Sequence, residues 1–226
     1  MLHAISIVVA AGQGNRMGSS TKKQFLRIKE KPMLIYTLEV MERHPEITGT
    51  ILVVSEDDLE YSRELIKDYS LNKIIDIVPG GDTRGASVYN GLKAVPKYID
   101  LVVVHDGARP FLSKEVLDRV LHGVKAYGAA VAAVPVKDTI KETGSNDFIE
   151  KTLDRSRLWA VQTPQAFLKE IIVDAYQRAA EQNLQGTDDA SLVEAFGHRV
   201  KIVMGDYQNI KITTKEDLDY AEYVLG

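Results

Sequence analysis

The chain of 226 residues contains no cysteine. Disulfides and thiolate metal sites are therefore excluded, which is compatible with a reducing cytoplasm. The histidines show no H-x-x-H or H-E spacing, so no transition-metal site is suggested either. Long apolar runs are missing. The first hydrophobic stretch, Ile5 to Val9, is too short to span a bilayer and follows no charged segment, so neither a signal peptide nor a membrane anchor is expected. Excess positive charge is absent as well. A formal net charge of −4 argues against a general nucleic-acid partner, and an anionic ligand then needs a local cluster of cations. Internal repeats, low-complexity tracts and linkers are not found. What is present, 45% hydrophobic and 27% charged residues, suits a globular protein able to bury a substantial core.

Ile5 to Val9 is rich in β-branched residues that suit a buried strand, and it runs directly into Ala10-Ala11-Gly12-Gln13-Gly14-Asn15-Arg16-Met17-Gly18. A loop of small residues and glycines brings backbone N–H groups close to a ligand, and phosphate is the usual guest of such fixed donors. Arg16 and, in Lys22-Lys23-Gln24-Phe25-Leu26, Lys23 add cations beside it. A dinucleotide fingerprint fits poorly, because Gly18 falls one place late and the next strand reaches Glu56 much further on than an acidic partner should lie. The Walker pattern G-x-x-x-x-G-K-[ST] is absent. A bare strand-to-helix turn accounts for the glycines but not for the cations. A nucleoside-triphosphate loop accounts for both.

Further along, β-rich runs at 50–55, 74–78, 101–104 and 129–134 alternate with helical periodicity at Met33 to Arg43, Leu59 to Tyr69, Arg84 to Val95 and Val116 to Tyr127. That alternation predicts an α/β fold, a single Rossmann-like domain over 1–226 whose mostly parallel sheet is covered by helices on both faces. Ligands of such sheets bind at the carboxyl ends of the strands, where the loops starting at Ala10, Gly80 and His105 should lie. From Pro135 to Gln165 the rhythm breaks. Thr139 to Thr143 and Phe148 to Thr152 flank Gly144-Ser145-Asn146-Asp147 and suggest an inserted β-hairpin arm within 135–160. Its mostly polar strands have little core of their own, so the arm is expected to pack on something else, a second subunit or solvent-facing surface. A helix over Leu168 to Ala180, a helical patch Asp189 to Phe196, a strand Val200 to Met204 and a last helix to Leu225 complete the chain; Thr213-Thr214-Lys215-Glu216 has the spacing of a capping box for the last.

Several polar clusters sit at the predicted strand ends. Gly80-Gly81-Asp82-Thr83-Arg84, with Ser87 one helical turn before Asn90, suits the edge of a flat base, or simply a helix start capped by Asp82 or Thr83. Asp106 and Arg109, in His105-Asp106-Gly107-Ala108-Arg109-Pro110, can hold a sugar hydroxyl and help place a magnesium ion, or pin the loop as a pair; spacing leaves both open. Arg155 and Arg157, near Trp159, carry forks that match phosphate oxygens, or form a charged edge of the arm. Lys211 has apolar neighbours on both sides that can pin it toward a site, or it is simply solvated. Thr187-Asp188-Asp189-Ala190 is acidic, but its place before a helical pattern makes N-capping the simpler account. No nucleophile–histidine pair is present, which suits transfer between phosphates, since a phosphate nucleophile has no proton to lose.

These segments, together with Val136 to Lys141 and Asn209 to Thr213, resemble the 2-C-methyl-D-erythritol 4-phosphate cytidylyltransferases over nearly the whole chain. Gln13 and Asn15 occupy variable places of the family pattern, and Gly107 stands where alanine is common. The resemblance implies transfer of CMP from CTP to a sugar-alcohol phosphate, with Mg²⁺, in the cytoplasm. It implies that Arg16 and Lys23 stabilise the α-phosphate and departing pyrophosphate. Ala10, Ala11, Gly12 and Gly14 would wrap CTP, and Gly81, Asp82 and Ser87 recognise its base or ribose. Asp106, Arg109, Thr139, Arg155, Thr163 and Lys211 would hold the acceptor, Arg155 and Lys211 aligning its phosphate, while Mg²⁺ is held mainly by the CTP phosphates with Asp106 as a candidate ligand. It also implies a homodimer formed through the arm. A ribitol 5-phosphate cytidylyltransferase shares the scaffold and is the alternative; a non-catalytic nucleotide sensor is disfavoured by the retention of Arg16 and Lys23.

Overall fold

Alternate residues of the first strand enter two different cores: Ala4, Val8 and Ala10 face one, Ile5 and Ile7 the other. The same holds for Leu52 and Val54 against Ile51 and Val53, and for Leu101 and Val103 against Val102 and Val104. A strand apolar on both sides must be covered on both sides, which is the reason for the layered architecture. The structure, a computed structural model, describes residues 2–12 and 22–224. The first half of the chain gives β1 (Ala4–Ala10), the short pair β2 (Arg27–Ile28) and β3 (Lys31–Pro32), α1 (Met33–Arg43), β4 (Ile47–Val54), α2 (Leu59–Asp68), β5 (Ile74–Pro79), α3 (Arg84–Lys93) and β6 (Leu101–Asp106). The second half gives α4 (Lys114–Tyr127), β7 (Ala129–Pro135), β8 (Lys141–Thr143), β9 (Ile149–Thr152), β10 (Trp159–Leu168), α5 (Lys169–Glu181), α6 (Asp189–Ala195), β11 (Lys201–Met204) and α7 (Lys215–Val224).

The central sheet has seven strands in the order β11-β7-β10-β6-β1-β4-β5. All neighbours are parallel except β10, which runs antiparallel to both β6 and β7. The α/β class and mostly parallel sheet expected from the alternation are therefore present. Helices α1, α2 and α4 cover one face and α3, α5 and α6 the other. In α4 the periodic residues Val116, Leu117, Val120, Leu121 and Val124 are buried, each contributing about 2 kcal/mol of apolar burial. Ser113 caps its start, and Gly128 ends it at φ +82°, a left-handed conformation that costs glycine little.

Two local expectations are corrected. Strand β10 was not foreseen, because its sequence WAVQTPQAFL lacks two-residue alternation and carries Pro164. It is accommodated by a register irregularity against β7 between Val161 and Gln165. The capping box of α7 lies one residue later than its expected place: Thr214 Oγ1 accepts from Asp217 N–H and the Asp217 carboxylate accepts from Thr214 N–H, at 3.2 and 2.9 Å. The shorter Asp217 side chain closes the box, and it also accepts from the backbone and hydroxyl of Thr213. Strands β8 and β9 form the hairpin, every residue of both exposed, with Phe148 75% and Ile149 62% accessible.

Candidate functional site

From β1 the chain moves outward to β4 and β5, then returns to the opposite side of β1 as β6. This reversal opens a crevice at the carboxyl ends of β1 and β6, the place where open α/β sheets bind ligands. A cavity of about 640 Å³ lies there. Ala10, Ala11, Gly12, Lys23, Gly81, Asp82, Ser87, Asp106 and Lys211 all line it, although they come from five separate parts of the chain. Gly14 and Arg16 lie outside the described residues.

Each wall has a local cause. A Cβ on Gly80 would stand 2.3 Å from Ala11 Cβ, so the two strand-end loops approach as closely as they do because residue 80 has no side chain. Gly81 N–H donates to Ser87 Oγ at 3.0 Å, and the Ser87 hydroxyl donates to Thr83 O at 2.9 Å. Thr83, rather than Asp82, caps α3 by accepting from Ala86 N–H. On the other side Lys22 Nζ donates to Ser55 Oγ at 2.7 Å and to Asp58 Oδ1 at 2.9 Å, while Ser55 Oγ donates to Asp58 Oδ2. This clamp docks the start of the Lys23–Phe25 3₁₀ turn on the end of β4, and Phe25 packs edge-on against Tyr61. Of the two adjacent lysines, Lys22 is thus spent on the scaffold, and Lys23 lines the cavity.

Asp106 is the electrostatic centre. Arg84 Nε lies 2.9 Å from Oδ1, Lys211 Nζ 2.9 Å from Oδ2, and Arg109 Nε 3.7 Å from Oδ2. Burial pushes this carboxyl up, but Arg84, Lys211 and Arg109 more than offset it and hold it well below the usual carboxylate range. Arg84 also reaches the fully buried Asp189 at 2.8 Å, whose other oxygen accepts from the Tyr176 hydroxyl at 2.5 Å. Burial works against the Arg84 charge, yet Asp189 and Asp106 raise its pKa above the ordinary value. Burial, then Asp189, raises that of Tyr176, which stays a neutral donor. His105, fully buried beneath the site, is pushed down to about 4 by burial and is neutral near pH 7.

The other predicted acceptor residues divide in two. Thr163 and Arg109 do not line the cavity but stand behind Asp106. The Thr163 hydroxyl accepts from Asp106 N–H at 3.0 Å and pairs with His105 Nδ1 at 3.0 Å, and Arg109 Nη1 donates to Asn209 O at 2.6 Å. Thr139 and Arg155 are exposed on the arm, away from this cavity, with Arg155 donating to Lys137 O at 2.8 Å. Asp188 caps α6 in a reciprocal capping box with Ser191, as its position suggested. Sequence reasoning missed Arg84 as a site residue and did not see Asp189 as its partner. Gln165, which donates to Asp188 Oδ2 and accepts from Ala190 N–H, was missed as well. Each of these contacts joins positions far apart in sequence.

Among the described residues no group of three or more His, Cys, Asp or Glu side chains converges as a metal cage. The carboxylates that line the cavity are Asp82 and Asp106, and Asp106 already pairs with Arg84 and Lys211. Among the described residues no helix is long and apolar enough to cross a membrane.

The family model of 2-C-methyl-D-erythritol 4-phosphate cytidylyltransferase (IspD) matches residues 4–226. The protein of that name from Desulforamulus reducens is 46% identical over 100% of this chain and 97% of its own length. That from Alkaliphilus metalliredigens is 48% identical over 97% of this chain and 92% of its own. Among solved structures, the 4-diphosphocytidyl-2C-methyl-D-erythritol synthase of Anaerococcus prevotii superposes with a TM-score of 0.89 at 34% identity, covering 99% of this chain and 98% of that one. The Thermus thermophilus cytidylyltransferase superposes at 0.80 with 30% identity, covering 98% of both.

Proposed function

The chain belongs to the 2-C-methyl-D-erythritol 4-phosphate cytidylyltransferase family, and from that premise we propose how its residues divide the work. The enzyme uses CTP and 2-C-methyl-D-erythritol 4-phosphate to form the cytidyl product of the non-mevalonate isoprenoid pathway. One observation carries the residue assignment: Ala10 to Gly12, Lys23, the Gly81–Ser87 turn, Asp106 and Lys211 share a single cavity at the switch point of the sheet.

In this reading an oxygen of the acceptor phosphate attacks the α-phosphorus of CTP, a new P–O bond forms, and the bond to the β-phosphate breaks to release pyrophosphate. No proton needs to move, so the protein's task is to hold two mutually repelling anions in line. Lys23 and Arg16 stabilise charge on the α-phosphate and leaving group. Ala10, Ala11, Gly12 and Gly14 cradle the nucleotide, and Gly81 and Asp82 meet its base and ribose in a loop shaped by Ser87. Lys211, held by Asp106, receives the acceptor phosphate, with Arg109 and Thr163 fixing Asp106 from behind. Magnesium, when bound to the triphosphate, supplies further neutralisation. Arg155 and Thr139 serve the cavity of a second copy, in a homodimer formed through the 135–160 arm. Because the reaction consumes CTP, we place the enzyme in the cytoplasm with that pool.

The test is a panel of CTP, UTP, ATP and GTP against methylerythritol phosphate and ribitol 5-phosphate, reading pyrophosphate release with Mg²⁺ present. CTP with methylerythritol phosphate should dominate. Polar groups left unpaired by the longer pentitol cost about 1–3 kcal/mol each, so discrimination of roughly tenfold to thousandfold is expected. Preference for ribitol 5-phosphate would assign the protein to the alternative activity, and no release with any pair would make it a nucleotide sensor.

A further inference from the structure

Gln24 is only 4% exposed, yet it lines the CTP cavity, and its amide nitrogen is buried with no hydrogen-bond partner among the described residues. A buried donor left unpaired is destabilising, and in a native fold such a group calls for a reason. The backbone around it is well tied. Phe25 N–H donates to Lys22 O at 2.9 Å and Leu26 N–H to Lys23 O at 3.1 Å. Lys22 is tied to Ser55 and Asp58 on one side of Gln24, and on the other Phe25 is buried against Tyr61. The turn therefore fixes the backbone of Gln24 beside Lys23, so that rotation of the side chain alone decides whether the amide faces the cavity. Among the described residues no acceptor reaches the amide nitrogen, and a nucleotide is rich in acceptors.

We infer that Gln24 is a further nucleotide-contacting residue, whose amide N–H group donates to an acceptor oxygen of bound CTP. The inference rests on the CTP reading given above and extends it to a residue on the Lys23 wall. It has a consequence that a purely structural glutamine would not have. Replacing the amide by an apolar side chain of the same length removes an unpaired donor from the unliganded protein, while it removes a partner from the complex. Stability of the free protein and affinity for the nucleotide should then move independently.

The experiment compares the full-length wild-type protein with Gln24→Met, a near-isosteric unbranched replacement. CTP binding is titrated in Mg²⁺ without the acceptor, and the Tm of the unliganded proteins is recorded. The Kd for CTP should rise about tenfold, the worth of one good hydrogen bond. The unliganded Tm should be unchanged or slightly higher, and the KM for methylerythritol phosphate at saturating CTP unchanged. An unchanged Kd for CTP overturns the inference, and so does a clear fall in unliganded Tm, which would make the amide a structural partner. A wild-type protein that fails to bind CTP would overturn the nucleotide reading itself, and is thereby told apart from a failure confined to the variant.

Discussion

The surroundings of Asp106 and the hairpin arm solve opposite problems with similar residues. At Asp106 three cations converge on a side chain that is 9% exposed, and Asp189, fully buried, anchors the chief of them from the far side. On the arm, Lys141, Glu142, Glu150, Lys151 and Arg155 are also charged, but every one is exposed. Buried charges must be paired and therefore have one geometry, whereas exposed charges keep their water and need none. The first arrangement fixes where Lys211 stands before any ligand arrives. The second leaves the arm, with Phe148 and Ile149 uncovered, ready to be organised by whatever it meets.

Three experiments press on this contrast. Asp106→Asn should have the largest effect, since it leaves Arg84, Arg109 and Lys211 crowded around a neutral group. Removing one partner of a buried ion pair costs about 3–5 kcal/mol, which for a chain of this size lowers Tm on the order of 10 °C. Scanning calorimetry that found wild-type stability would show that the cations do not depend on this carboxylate.

The next effect is a pH dependence set by His105. In the folded protein its imidazole stays neutral down to about 4, while in the unfolded chain it takes a proton near its ordinary 6.5. The unfolded state gains the proton first, so stability falls as pH drops through that interval, by about 3 kcal/mol in all. The depressed Asp106 carboxyl acts elsewhere: its contribution is present above the ordinary 3.8 and is lost only in stronger acid. Denaturant melts at several pH values should show the slope between about pH 6.5 and 4, and His105→Asn should flatten it. A slope unchanged in that variant would assign it to other groups.

Deleting the hairpin tip, 142–150, should move protomer stability least, within about 0.5 kcal/mol, because the removed strands bury almost nothing. Ultracentrifugation should nevertheless find the dimer weakened, and activity should fall with it. An unchanged dimer, or a fully active monomer, would contradict the role given to the arm.

Most of the sheet was legible from local pattern. The apolar run of β1, the helical spacing of α1 and the Pro-Gly-Gly ending of β5 each state their structure within a few residues. Strand β10 was not legible, because it is defined by hydrogen bonding to β6 and β7 on either side rather than by its own periodicity. A lysine at 22–23 close to the glycine loop, and Lys211 between its apolar neighbours, stand out in sequence as candidates. Arg84 does not, because its meaning comes from Asp106 and Asp189, which lie 22 and 105 positions away. Nor does the pair Lys22-Lys23 announce which lysine serves the fold; that is decided by Asp58, a residue brought near only when β4 is in place.

Strand β10 begins at the foot of the arm and ends in the middle of the sheet, and on the way it carries Thr163 to the back of Asp106 and Gln165 to the turn before α6. A strand shifted by one residue turns every side chain to the opposite face. Insertions and deletions should therefore be unequally tolerated along this segment as the protein drifts through evolutionary time. Around Gly144 to Asp147 the chain can lengthen or shorten with no effect on what lies below. Between Leu158 and Gln165 a single added residue would carry the Thr163 hydroxyl away from Asp106 and the amide of Gln165 away from Asp188. The arm is free to diversify at its tip only because its last strand is held to a count.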